Sequence, residues 1–265
     1  MFSIKKWAMK FDDFDAKLRI FETAHDHCVL PGIHIVARLD GRGFTRLTKE
    51  VHQFEAPFDE RFRDLMVATT EHLMDCGFRM LFGYTQSDEI SLLFHPQDES
   101  FHRKLRKLNS VLAGEASAKF SLLLGAMGCF DCRISQLPTV ESVCDYFRWR
   151  NEDAHRNALN GHCYWMLRQQ GKDVTAATKH LLGMSVADKN ELLFQNGINF
   201  NDLPNWQKRG IGIYWEVYQK PGKNPKTGEE VMAERRRLKR DFDLPRKEAY
   251  ENLIKDLLIK ADKPK

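Results

Sequence analysis

The N-terminal half alternates short apolar runs with helical periodicity, and that alternation limits the folds open to the chain. Ile33 to Leu39 is a β-rich run. Phe58 to Cys76 then carries apolar residues at helical spacing, at Phe62, Leu65, Met66, Thr69 and Leu73. Phe78 to Tyr84 and Ile90 to Phe94 read as a second and third strand, joined by Thr85-Gln86-Ser87-Asp88-Glu89. Phe101 to Leu124 reads as a long helix, with small residues from Ala113 to Ala118 that permit close packing. Phe130 to Gln136 is a fourth strand, ended by Leu137-Pro138. The order β-α-β-β-α-β predicts an α+β, ferredoxin-like split βαβ unit.

That topology makes a prediction about chemistry. A crossover places the first two strands parallel, and the third, returning by a hairpin, fits between them. The C-terminal end of strand one then lies beside the hairpin, so Asp40 meets Asp88 and Glu89. Carboxylates converging on one point repel unless a cation sits between them. Mg²⁺ prefers such oxygens and keeps room for water and phosphate. Two such ions stabilise both the attacking and the leaving oxygen of a phosphoryl transfer. A metal-dependent enzyme acting on nucleotides is therefore expected; the competing reading is that each acidic residue only caps a turn.

The second half reads as mostly helical. Val140 to Gln170 predicts one or two helices, with Trp149, Arg150, Asp153, His155, Arg156 and Asn157 as a polar and aromatic cluster. Thr175–Leu182 and Val186–Gln195 predict shorter helices, Ile211–Gln219 a strand, Pro221–Gly228 a turn, and Glu230–Arg240 a basic strand. Leu244 to Lys260 predicts a C-terminal helix. The expected organisation is a catalytic core over 1–136 and a helical and hairpin extension over 137–265, packed on it as one compact unit.

Net charge of +4 over 265 residues is mild, so a nucleic-acid partner requires locally clustered charge. The basic stretches are Arg103-Lys104-Leu105-Arg106-Lys107 and Arg235-Arg236-Arg237-Leu238-Lys239-Arg240; the second is open to reading as a solvated surface or as an RNA contact. No apolar run reaches a membrane-spanning length. Met1 to Trp7 lacks the following apolar segment of a signal peptide, so a cytoplasmic protein without a membrane partner is expected. Six cysteines in a chain of this size are not a disulfide framework. Cys129-Phe130-Asp131-Cys132 lacks the second ligand pair of a zinc site and reads as reduced thiols beside a strand.

Arg38-Leu39-Asp40-Gly41-Arg42-Gly43-Phe44 and Tyr84-Thr85-Gln86-Ser87-Asp88-Glu89 together resemble the tRNA-His guanylyltransferase family. The resemblance continues through Phe130-Asp131-Cys132-Arg133, Tyr146-Phe147-Arg148-Trp149-Arg150 and Ala187-Asp188-Lys189-Asn190-Glu191, and reaches Ile211–Trp215. It implies a polymerase-palm core that extends tRNA at its 5′ end, in the 3′–5′ direction. ATP first adenylylates a 5′-monophosphate. The 3′-hydroxyl of GTP or another NTP then attacks the activated phosphate. The implied partners are tRNA, through its 5′ end and acceptor stem, the nucleotides, and further copies of the chain in a homotetramer.

By that resemblance Asp40 and Asp88 are ligands of two Mg²⁺ ions, with Gly41 offering its carbonyl, and Glu89 is the third catalytic carboxylate. Ser87 is placed to touch nucleotide phosphate. Arg42, Gly43 and Phe44 form a turn whose N–H groups can meet a triphosphate, although a salt bridge for Arg42 and a core position for Phe44 remain open. Arg150, His155, Asn157 and Lys189 match further nucleotide-binding positions, and Lys107 on the long helix is expected to face phosphate. His155-Arg156-Asn157-Ala158 departs from the eukaryotic His-Ile-Asn-Asn. Glu55-Ala56-Pro57 lacks the Lys that many members carry before the proline, for which Lys49 is the available substitute. The Glu55-Ala56-Pro57-Phe58-Asp59-Glu60-Arg61-Phe62 wording resembles the bacterial and archaeal branch, so template-directed repair of tRNA 5′ ends is expected first, and guanylylation of tRNA-His second. A nucleotidyl cyclase built on the same palm and a tRNA-binding protein with a decayed site are the alternatives.

Overall fold

The structure, a computed structural model, describes residues 9–223 and 230–261. Residues 1–7, read against a signal peptide, and most of the turn expected at 221–228 lie outside them. A helix the periodicity did not signal opens the described chain, α1 (Phe11–Thr23). There follow β1 (His34–Gly41), a short α2 (Phe44–Arg46) running into a wider turn at Leu47–Val51, and α3 (Glu60–Met74). β2 (Met80–Gln86) and β3 (Glu89–Phe94) form the hairpin. α4 (Leu105–Leu124) leads to β4 (Phe130–Leu137). The second half holds α5 (Val140–Gln169), α6 (Val174–Leu181), α7 (Val186–Gln195), α8 (Asn205–Arg209), β5 (Ile211–Lys223), β6 (Glu230–Asp241) and α9 (Glu248–Ala261).

The sheet order is β4-β1-β3-β2-β5-β6, with every neighbouring pair antiparallel. β3 therefore lies between β1 and β2, which run parallel to each other, as the split βαβ unit requires. Two expectations change. The long helix starts at Leu105 instead of Phe101, because Phe101, His102 and Arg103 all take left-handed backbone conformations, at φ 52°, 53° and 58°. The β5–β6 ribbon, expected as an extension laid on the core, continues the core's own sheet: Ile211 to Tyr214 pair with β2, Ile211 and Ile213 are buried in the core, and the remainder runs beyond it.

Strand alternation decides what covers each face. Ile35, Ala37 and Leu39 of β1, with Ile90 and Leu92 of β3, face a core shared with α3 and α4. Phe120 at its centre is fully buried and packs at 5.0 Å from Phe44 and 5.5 Å from Phe130. Each such side chain contributes about 1.5–3 kcal/mol relative to exposure. Val36 of β1, Phe82 and Tyr84 of β2 and Leu93 of β3 point the other way, onto Val143, Phe147, Tyr250 and Ile254 from α5 and α9. The helical half thus supplies a third layer on the second face of the sheet. α5 is a single thirty-residue helix, fixed at its start by a reciprocal cap between Thr139 and Ser142. Among the described residues no helix is long and apolar enough to cross a membrane.

Candidate active site

The face turned to α5 is apolar until the end of β1, where alternation brings Arg38 and then Asp40 into line. Glu89 lies directly across from Asp40 on β3, and Ser91 across from Arg38. Directly opposite residues share a face, so Asp40 and Glu89 project to the same side. Ser87 and Asp88 form the two-residue turn between Gln86 and Glu89, with Ser87 left-handed at φ 54°. The turn is tied to β1 by the Gly41 N–H, which donates to the Asp88 carbonyl at 3.1 Å.

Asp40, Ser87, Asp88 and Glu89 line a cavity of about 260 Å³, closed on its far wall by Arg150, Asp153 and Asn157 of α5. Burial, joined by the charge of Asp40, pushes the Asp88 carboxyl up to about 6, against a hydrogen bond from Ser87 Oγ at 3.2 Å. Burial also raises the proton affinity of Glu89 and outweighs the opposing pull of Arg150 and Arg38. Arg150 Nη2 sits 3.2 Å from Glu89 Oε2 and 2.5 Å from Asp153 Oδ2, and Arg38 Nη1 lies 3.9 Å from Glu89 Oε1.

These pairings alter the expected metal cluster. Among the described residues no three Asp, Glu, His or Cys side chains gather to enclose an ion. Glu89 is occupied by two guanidiniums, which leaves Asp40 and Asp88 as the carboxylates of the cavity. Two hard oxygen donors with open space in front are a donor set that fits Mg²⁺. The raised affinity of Asp88 for a proton is what burial beside a like charge produces.

The remaining expected residues divide. Ser87 lies where this cavity meets a second one, of about 160 Å³, lined by Phe44, Lys49, Phe54, Phe58, Arg63 and Trp206 among others. Asn157 belongs to the acidic cavity and donates to Asp153 Oδ2 at 3.2 Å. Lys189 reaches Asn160 Oδ1 at 3.0 Å, further along α5. Phe44 is 2% exposed and sits under the turn, so close that a Cβ on Gly41 would stand 2.5 Å from its ring. Its role is core support, with one edge of the ring on the second cavity. Gly43 is left-handed at φ 74° and opens α2.

The N–H of Arg42 is already donated to the Cys129 carbonyl at 2.8 Å, so it is not free for a triphosphate. The Arg42 side chain is exposed and makes no ion pair among the described residues. Lys107 is not brought to the site. Arg103, four residues before it, donates to Ile33 just ahead of β1, which places the start of α4 at the opposite end of the sheet from Asp40. Its ammonium lies 5.9 Å from the Phe101 ring instead. His155 is also turned away, edge-on to Phe200 at 5.3 Å on another face of α5.

Asp153 was not singled out as a site residue, although its spacing carries the signal. It stands three residues after Arg150 and four before Asn157, so all three share a helical face. Arg38, two residues before Asp40, shares its strand face in the same way. Lys49, the expected substitute for the missing Lys, is half-buried on the second cavity, near Glu55 and 5.4 Å over the Trp165 ring.

The model of the family described as tRNAHis guanylyltransferase matches residues 15–138, and that described as Thg1 C terminal domain matches residues 141–255. The tRNA(His) guanylyltransferase of Neurospora crassa is 36% identical over 218 residues, 77% of this chain and 74% of that protein. A bacterial tRNA(HIS) guanylyltransferase (Thg1)-like protein in complex with ATP superimposes with a TM-score of 0.70 at 25% identity, over 94% of this chain and 98% of that one. The Saccharomyces cerevisiae tRNA(His) guanylyltransferase gives 0.69 at 26% identity, over 84% and 96%. The chain belongs to the tRNA(His) guanylyltransferase family and is a nucleotidyltransferase.

Proposed function

We propose that the chain adds a nucleotide to the 5′ end of tRNA, in the 3′–5′ direction, with guanylyl addition to tRNA-His as its first activity. The observation that carries this reading is the pair Asp40 and Asp88 on one cavity wall, with Ser87 at the opening to a second, aromatic-lined cavity. In the first step an oxygen of the tRNA 5′-phosphate attacks the α-phosphorus of ATP and releases pyrophosphate. In the second the 3′-hydroxyl of GTP attacks the adenylylated phosphate and releases AMP. Two Mg²⁺ ions held by Asp40, Asp88 and the Gly41 carbonyl would supply Lewis-acid stabilisation of the phosphoryl oxygens.

The chain's own residues divide the remaining work. The Ser87 hydroxyl and the ammonium of Lys49 face phosphate from the two cavities, and Phe54, Phe58 and Trp206 offer flat surfaces to a nucleobase. Arg150 and Arg38 hold Glu89 beside Asp40, and Asp153 holds Arg150. A negative charge building at phosphorus meets cations that are already positioned, so little reorganisation is needed.

The names of the eukaryotic relatives favour guanylylation over repair, so we put it first, the reverse of the order expected from the Glu55-Ala56-Pro57 wording. Template-directed repair stays as the second reading, because the bacterial Thg1-like protein covers nearly the whole of the chain. A homotetramer in the cytoplasm completes the proposal. In its favour α1 buries none of its own residues and exposes Phe11, Phe14, Leu18 and Phe21 along one stripe, which a second copy would cover; light scattering in solution tests it. The catalytic reading is tested with ATP, Mg²⁺ and all four NTPs on full-length tRNA-His and on a tRNA lacking its first nucleotide. Addition of G to tRNA-His is expected. Extension of the truncated tRNA alone would move the assignment to repair, and cyclic nucleotide made from NTP without RNA would sink both.

A further inference from the structure

The basic run that the sequence displays most openly, on β6, is largely neutralised. Arg237 pairs with Glu216 at 2.6 Å, Arg240 with Glu71 at 2.5 Å, and Lys239 lies 3.7 Å from Asp241. Arg236 is stacked 4.3 Å over Trp215. The stretch at the start of α4 is similar, since Lys104 and Arg106 both close on Asp26. Charge already satisfied in this way attracts a polyanion weakly.

A different set of cations, scattered in sequence, is not satisfied. Lys208, Arg209 and Arg246 come together where α8 meets α5 and the segment after β6. None of them makes an ion pair among the described residues. Each is held by a neutral oxygen: Lys208 by the Asn201 carbonyl at 2.7 Å, Arg209 by Asn151 Oδ1 at 3.1 Å, and Arg246 by Asn205 Oδ1 at 2.9 Å. Arg209 Nε is buried with no hydrogen-bond partner. Phe200 lies between His155 and Lys208, at 5.3 Å and 5.9 Å. Three carboxylates stand near without closing an ion pair: Asp202 accepts from Asn199 at 2.8 Å, Asp243 accepts from Asn205, and Glu152 is exposed. Asp202 and Asp243 strengthen proton binding at Lys208, and Glu152 does so at Arg209.

The three cations feel one another. Burial and the neighbouring Arg246 both weaken proton binding at Lys208 and at Arg209. Burial and the same charges push the His155 imidazole down to about 4, so it adds no repulsion at neutral pH. Concentrated positive charge that no carboxylate contacts directly is stabilised by a bound anion. The cluster also adjoins the catalytic cavity. The Arg209 carbonyl accepts from the Tyr84 hydroxyl at 2.9 Å, and Tyr84 lines the acidic cavity. An anion seated here lies on the far side of the cavity wall from Asp88. That position suits a polyanion whose end enters the cavity better than it suits the entering nucleotide itself.

We propose that Arg209 and Arg246, with the buried Lys208 adding its charge from behind, form a cradle for phosphate groups of the RNA backbone, anchoring the substrate strand whose 5′ end reaches Asp40 and Asp88. This rests on the tRNA reading given under Proposed function. Arg246, exposed at the edge of the cluster, is the contact to alter. Phosphate could come from RNA or from a nucleoside triphosphate, so both are measured.

The full chain and its Arg246→Glu, Arg246→Gln, Arg246→Lys and Arg237→Glu variants are titrated with tRNA over a range of salt, and separately with GTP and with ATP. Arg246→Gln keeps an amide for Asn205 and removes only charge, which guards against a folding defect in the Glu variant. We expect Arg246→Glu to weaken tRNA binding about tenfold, and both it and Gln to lower the slope of log affinity against log salt by about one. Arg246→Lys should keep most of the affinity, Arg237→Glu should bind as the parent, and GTP and ATP affinities should not move. Parent-like affinity and slope in Arg246→Glu and Arg246→Gln overturn the inference, as does a loss confined to GTP or ATP, or an equal loss in Arg237→Glu. A parent chain that binds tRNA through Arg246 yet adds no nucleotide would overturn the proposed reaction and leave the cradle standing.

Discussion

Arg150 Nη2 lies 3.2 Å from Glu89 Oε2, and this contact joins the helix covering the sheet to the strand that carries the acidic turn. Arg150 is 5% exposed, and its other partner, Asp153, is on its own helix. Removing the guanidinium leaves Asp153 without an ion-pair partner among the described residues and Glu89 with only Arg38 at 3.9 Å. Arg150→Ala should therefore cost about 3 kcal/mol of stability in denaturant titration and lower nucleotide addition. Arg150→Lys should recover little of either, because an ammonium does not span both carboxylates in one plane. Addition at the parent rate by Arg150→Ala would remove Glu89 positioning from the mechanism.

Asp40→Asn and Asp88→Asn should separate chemistry from folding. Each removes a carboxylate of the proposed metal pair, so nucleotide addition should fall at least roughly 10²–10³-fold. Neither carboxylate makes a salt bridge among the described residues, and Asp88 carries a burial penalty when charged. Melting temperatures should stay at or above that of the parent chain. Calorimetry with Mg²⁺ alone should show weakened binding in both. A variant that adds nucleotides normally would end the assignment of that residue.

Gly41 and Phe44 form a steric pair. With a Cβ at position 41 standing 2.5 Å from the Phe44 ring, Gly41→Ala must displace a ring wedged against Phe62, Phe120 and Phe130. A cost of about 1–3 kcal/mol is expected for such overpacking. The double variant Gly41→Ala, Phe44→Leu should recover part of it. If Gly41→Ala melts with the parent, the close packing of turn on core is not what fixes Asp40.

How much of this was legible beforehand depends on the range of the interaction. β1, β3 and α7 could be read within a residue or two, because side-chain periodicity is a local property. Asp40, Asp88 and Glu89 could be brought together because one handedness rule fixes the strand order. Lys107 misled, since a basic residue on a long helix carries no sign of which end of the sheet it will occupy. Joining of β5 to β2 escaped, since strand partners are chosen by contacts far apart in sequence. The pairing of Arg150 with Glu89 escaped for the same reason, although Asp153 at its i+3 position was in view. α1 escaped although Phe11, Phe14, Leu18 and Phe21 stand at helical spacing, and within one copy of the chain the structure gives that stripe no core to face.

His155 and His162 predict the acid limb of stability. Burial depresses both imidazoles, His155 to about 4 and with the added push of Arg209, Arg246 and Lys208. An unfolded histidine takes up its proton near pH 6.5, so between that value and about 4 the His155 site binds more protons in the unfolded chain than in the folded one. The stability that this site contributes is lost as pH falls through the window, while Asp88, lifted to about 6 by burial, works in the opposite sense. Chemical denaturation at pH 7 and pH 5 in an Asp88→Asn background should show lower stability at pH 5. His155→Gln should shrink that difference, whatever it does to stability at pH 7, because the glutamine amide does not titrate. His162 should supply a share of what remains, since its bond to Gln207 Oε1 at 3.1 Å opposes the burial effect only in part. A pH 5 to pH 7 difference identical in the parent and in His155→Gln would show that His155 is not held neutral by its surroundings.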